Sequence, residues 1–171
     1  AFGLTEPAFQ GKGPGPAQAH FYSVSAHKGG AASRRSDVVH TQLPSVPIPA
    51  RIEAESFAAM EGAQTEACGD DGGGLNLGFF DPGDFLEYSI RVEEPGDYSI
   101  DYRLASESGS EGFEVLVGER TIDKQSVPAT GGWQLYITQT SPKFRLEPGD
   151  YTLRFRSNGN QWNINWFEIK R

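Results

Sequence analysis

Thiols are almost absent from this chain. Its 171 residues include a single cysteine, Cys68. No intramolecular disulfide, thiol redox pair or multi-cysteine zinc site can therefore form, and the fold has to rest on its core. Apolar runs are only a few residues long, against the roughly 20 needed to span a bilayer as a helix, so no transmembrane segment is expected. Positive charge is scarce too, with 15 Lys and Arg against 23 Asp and Glu and a net charge of −8. Binding to phosphate backbones is driven by clustered cations, so nucleic acid is not an expected partner. Helical periodicity is also missing. No stretch holds apolar residues at i, i+3, i+4 and i+7 over three turns, and AESFAAMEGA (54–63) is the one short candidate.

Catalytic signatures are absent in the same way. The chain has no Gly-x-Ser-x-Gly elbow, His-Glu-x-x-His helix or Gly-Lys-Ser/Thr phosphate loop. All three histidines (His20, His27, His40) fall in the first 47 residues. The adjacent acids in GDDGGG (69–74) read as a glycine-rich turn rather than an acid/base pair. The carboxyl spacing of a glycosidase is spatial rather than sequential, but the small size makes an enzyme an unexpected outcome.

What is present divides near Ile48. Residues 1–47 are rich in Gly, Pro, Ala and Ser, and carry four basic and two acidic groups, leaving 11 basic and 21 acidic groups beyond. Segments such as GKGPGPAQA (11–19) bury too little apolar area to offset the entropy of ordering. This part reads as an extended arm or linker, with Phe2, Leu4, Phe9, Phe21 and Tyr22 as anchors if it docks on a partner. The chain opens on Ala1 with no apolar leader before it, which fits a processed mature form or an excised piece.

From Ile48 onward the pattern is that of strands. Leu86, Tyr88, Ile90 and Val92 alternate with Glu87, Ser89, Arg91 and Glu93, which sets one face in a core and the other in water. Tyr98, Ile100, Tyr102 and Leu104 repeat the scheme, as do Phe113, Val115 and Val117, and then Tyr151, Leu153 and Phe155. Further strands are expected near 51–57, 121–127, 133–139, 142–147 and 162–170. EPGDY occurs at 94–98 and 147–151 and DPGDF at 81–85, each Pro-Gly pair launching a strand. About ten strands in roughly 120 residues, with no alternating helices, predict an all-β, antiparallel β-sandwich of jelly-roll type with an N-terminal arm.

Most aromatics fit alternating core positions, but Phe79, Phe80, Trp133 and Trp162 sit where strands meet loops. Trp133 follows TGG, and a tryptophan there is suited to present a flat apolar face to a sugar ring while Asn side chains bond the hydroxyls. Loop-proximal core packing is the alternative for each of these rings.

The strings IEAESF (52–57), GGGLNLGFFDPGDFLEY (72–88), PGDYSIDYRLAS (95–106), TGGWQ (130–134), LEPGDYTLRF (146–155) and NINWFEI (163–169) together resemble carbohydrate-binding module family 6, in order and spacing across 48–171. The resemblance implies a non-catalytic, calcium-containing β-sandwich that binds a polysaccharide or oligosaccharide in a loop-end cleft. Carried over by residue, it implies Phe79 and Trp133 as the two stacking aromatics and Asn163 as the sugar-bonding amide, with Asn165 the alternate amide and Asn76 on the same rim. The family favours tyrosine or tryptophan where this chain has Phe79, so a hydroxyl is missing there. It also implies a structural Ca²⁺, for which Glu53, Glu55 and Glu168 are the candidate carboxylates. Cys68 matches no functional position. A secreted or cell-surface location follows. The rival expectation is an accessory subunit docked in a larger assembly through residues 1–47, with sugar binding reduced or lost, in an organelle lumen after loss of a targeting segment.

Overall fold

The computed structural model describes residues 44–171 in full. Within 1–43 it describes the backbone of four short strands, β1 (His20–Tyr22), β2 (His27–Lys28), β3 (Ala31–Ala32) and β4 (Val39–Thr41), with β1 paired to β4 and β2 to β3. The side chains expected to anchor the arm lie outside the described residues.

Alternation along the chain is realised as two stacked sheets. The first places β13 (Arg120–Val127), β12 (Ser110–Val117), β16 (Gly149–Ser157), β10 (Phe85–Val92) and β5 (Val46–Ile48) side by side, with β7 (Ala59–Glu61) also on β10. The second runs β14 (Gly132–Thr140), β11 (Gly96–Ser106), β17 (Asn163–Lys170), β9 (Leu75–Gly78) and β8 (Gln64–Ala67), with β15 (Phe144–Leu146) on β11 and β6 (Ala50–Glu53) on β17. Pairing is antiparallel except where β5 lies parallel to β10. The expected antiparallel β-sandwich is therefore the fold, but its first strand begins at Val46, ahead of the expected boundary at Ile48.

Between the sheets lies one aromatic core. Leu86, Ile90, Ile100, Tyr102, Leu104, Phe113 and Val115 are fully buried, as their alternation requires. Tyr88 packs edge-on against Phe155 and Phe167 with centroids 5.7 and 4.7 Å away, and Phe113 stacks on Trp162 at 4.7 Å. Removing one such ring from a packed core costs about 3–5 kcal/mol. The two EPGDY repeats share a clip: the Tyr98 hydroxyl donates to the Glu94 carbonyl (2.7 Å) and that of Tyr151 to the Glu147 carbonyl (2.9 Å). Each fixes the angle at which its strand leaves the turn.

Two local expectations are corrected. The helix candidate at 54–63 is a turn followed by β7, and no helix occurs among the described residues. The strand expected over 51–57 stops at Glu53, where the Ser56 amide donates to the Glu53 carbonyl (3.0 Å) and turns the chain.

Candidate functional site

At the loop end of the sandwich, β8, the segment after β9, the start of β14 and the approach to β17 enclose a cleft of about 560 Å³. Its floor is a pair of parallel rings, Phe80 and Trp162, stacked 4.0 Å apart at 8°. Both are buried, and the Trp162 indole N–H donates to Ser157 Oγ and the Gly159 carbonyl, each at 3.0 Å. Of the four loop-end aromatics, these two take the core-packing role. Phe79 and Trp133 line the cleft while remaining 61% and 40% exposed.

The backbone marks the same place. Phe79 (φ 60°) and Gln161 (φ 67°) are the only non-glycine residues in the left-handed region among those described, and both line the cleft. Such a conformation costs an L-residue about 1–3 kcal/mol and clusters at functional sites. An exposed phenylalanine held this way gains little packing in return.

Behind the aromatics lies a polar wall centred on Glu66. Its Oε1 accepts Asn163 Nδ2 (2.7 Å), Asn76 Nδ2 (3.0 Å) and Gln134 Nε2 (3.0 Å). Asn163 Nδ2 also donates to the Trp133 carbonyl (2.9 Å), so this amide fixes the tryptophan backbone and the carboxylate together. Its Oδ1 rests against Gly78, where an added Cβ would sit 2.3 Å away, so the close approach requires glycine. Asn163 thus lines the cleft with both N–H groups engaged inside the protein. Asn76 is fully buried behind it and does not form the rim. Asn165 does not reach the cleft. It occupies the β17 irregularity between the pairs Arg103↔Trp166 and Leu104↔Ile164, and donates to Asp70 Oδ2 (2.9 Å).

Asp70 belongs to the glycine-rich 69–74 turn, which is fastened down. Arg103 donates Nε to Asp70 Oδ2 (2.8 Å) and Nη2 to Oδ1 (2.6 Å). These bonds, the guanidinium's above all, lower the Asp70 carboxyl to about 2 against desolvation. The Gly69 amide donates to Gln134 Oε1 (2.7 Å), tying the turn to the residue after Trp133.

The three glutamates expected to hold calcium do not converge. Glu55 lies past the end of β6, Glu53 Oε1 accepts Arg51 Nε (3.0 Å), and Glu168 stands opposite Arg51 rather than Glu53. Arg51, stacked on Trp166 at 4.2 Å, makes this strip an ion-pair surface. No group of three His, Cys, Asp or Glu side chains close enough for a metal occurs among the described residues. Of the three, Glu55 alone has a buried oxygen, Oε2, without a hydrogen-bond partner.

Residues that the sequence reading missed complete the cleft: Gln64, Glu66, Asp81, Gln134, Asn160 and Gln161. Of these, Asp81, in DPGDF, and Gln134, in TGGWQ, stood within quoted motifs close to Phe79 and Trp133.

Known proteins share the sequence pattern and the fold. The sequence profile of the carbohydrate binding module (family 6) matches residues 53–171. A β-1,3-glucan binding module of that family from Bacillus halodurans is 33% identical, with TM-score 0.69 over 75% of this chain and 100% of that one. The module from Cellvibrio mixtus lichenase 5A, solved with cellotriose, is 33% identical, with TM-score 0.65 over 72% of this chain and 98% of its own. Clotting factor G alpha subunit of Tachypleus tridentatus is 34% identical over 123 residues, and a β-agarase of Microbulbifer thermotolerans 31% over 101, covering 70% and 57% of this chain. The match spans only 18% and 23% of those two proteins.

Proposed function

The chain belongs to carbohydrate binding module family 6, and on that premise we propose that its loop-end cleft binds a polysaccharide or oligosaccharide without catalysing its cleavage. The module is a carbohydrate-binding domain. The observation that carries the site assignment is Phe79, an exposed ring on a left-handed backbone facing the same cleft as exposed Trp133. A pyranose ring presents apolar C–H faces and an equatorial rim of hydroxyls. The two rings cover the faces by stacking, while Glu66, Gln64, Asn160 and Gln161 lie where rim hydroxyls are bonded. Phe79 supplies area but no hydroxyl, so polar recognition falls to the wall. Asn163 acts in this reading as a positioning residue for Trp133 and Glu66, and Asn76 as its support.

Two relatives bind glucans by their names, a β-1,3-glucan and cellotriose, which makes β-glucan oligosaccharides the first ligands to test. Such polymers lie outside cells, so a secreted or cell-surface location accompanies the proposal. Calcium is proposed at Glu55, whose buried unpartnered oxygen suits a hard cation supported by backbone carbonyls.

NMR titration of the full chain with laminari- and cello-oligosaccharides tests the assignment. Saturable shifts should centre on the Trp133 indole and the amides of Phe79 and Gln161. Shifts centred on another face would overturn it.

A further inference from the structure

The electrostatics of the cleft carry a narrower statement about its ligand, resting on the glycan reading above. Eleven residues line the cleft; Glu66 and Asp81 are the acids, and Lys, Arg and His are absent from the lining. The remaining polar groups are amides. Glu66 is held rigidly: its Oε1 takes three amide N–H donors, and no described residue donates to Oε2. A carboxylate oxygen can only accept, and Oε2 is not among the buried unpartnered oxygens, so it stays open to take an O–H or N–H from an occupant of the cleft. Asp81 is exposed on the Phe79 side of the opening. Its amide is fastened to Asp84 Oδ2 (2.8 Å), which brings a second carboxylate beside it. The residues beyond 47 carry the chain's acidic excess, so the surrounding field has the same sign.

We infer that the cleft admits only uncharged sugar units with free hydroxyls, and that Glu66 and Asp81 exclude sulfated or carboxylated ones. A sulfate or uronate group seated between Phe79 and Trp133 would bring a negative charge against two carboxylates in a partly dehydrated space, where like charges repel more strongly than in bulk water. It would also offer Glu66 Oε2 another acceptor, with which a carboxylate oxygen makes no hydrogen bond. The exclusion is electrostatic for Asp81, which is open to salt screening, and both electrostatic and directional for Glu66, which is sheltered.

Matched polymers separate these effects. The full chain is run in affinity electrophoresis against neutral β-1,3-glucan, cellulose-type and xylan backbones, and against the carboxymethylated form of each. Retardation by at least one neutral backbone and at least about tenfold weaker binding of its charged form is expected, the gap narrowing as salt is raised. In Glu66→Gln with Asp81→Asn the gap should shrink to within about threefold. The glutamine keeps an acceptor for the three amides, and folding is checked by thermal unfolding. Equal binding of neutral and charged forms by the wild-type protein overturns this inference alone. A gap unchanged in the double variant overturns the assignment to these two residues. Failure to bind any neutral backbone overturns the sugar-binding reading, and this inference with it.

Discussion

Phe79 combines two features that a packed domain ordinarily avoids, an exposed aromatic ring and a left-handed backbone on a residue with a Cβ. If it is kept for presentation, Phe79→Gly should lose glycan binding while stability stays level or rises by up to about 1 kcal/mol, because glycine adopts this conformation without strain. Chemical denaturation and ligand titration on the same samples check both halves. Glu55 gives a second residue-level test. Its unpartnered buried oxygen is a cost without a cation and an asset with one. In EDTA, Glu55→Gln should be at least as stable as the wild-type protein. Added calcium should raise the melting temperature of the wild type and leave the variant unmoved.

Among elements, the 69–74 turn shows why local composition is a poor guide. GDDGGG reads as a loose turn, yet Asp70 clamps it to Arg103 on β11 and Gly69 ties it to Gln134 on β14. The Asp70 carboxyl is held at about 2, below its ordinary 3.8. Its contribution is therefore complete above the ordinary value and is lost as pH falls through about 2. Across that window the wild-type protein should lose stability more steeply than Asp70→Asn, a difference that acid titration followed by near-UV circular dichroism measures.

The long strands β10 and β11 were legible because each buries one face over eight or more residues. Leu86 to Val92 and Tyr98 to Leu104 alternate as the sheets require. β7, β8 and β9 were not, since three or four residues with no clear alternation carry no period. The candidate site divides in the same way. Phe79 and Trp133 announce themselves by residue type beside turn glycines. Glu66 is assembled from donors as far as 97 positions away, a juxtaposition that no local pattern contains. Asn163 lines the cleft, but its N–H groups turn inward to Glu66 and the Trp133 carbonyl, partners that its motif does not contain.

For the whole molecule, β5 extends the sandwich ahead of the boundary read from composition. Val46–Ile48 pairs in parallel with Ile90–Val92, and Ile48 is buried. Residues 44–171 should therefore fold alone with a higher melting temperature than 49–171, which lacks that strand, as differential scanning calorimetry would show. With one cysteine, the melting temperature of either piece should not respond to reductant.

The claim on which the account rests is that a sugar is held between Phe79 and Trp133. Affinity electrophoresis of the full chain and of Trp133→Ala against a panel of neutral polysaccharides, with calcium, tests it most directly. Retardation by at least one glycan, lost in the variant at an unchanged melting temperature, is expected, because the Trp133 ring is not part of the buried core. Retardation by no glycan, or retardation that the variant retains in full, would contradict it.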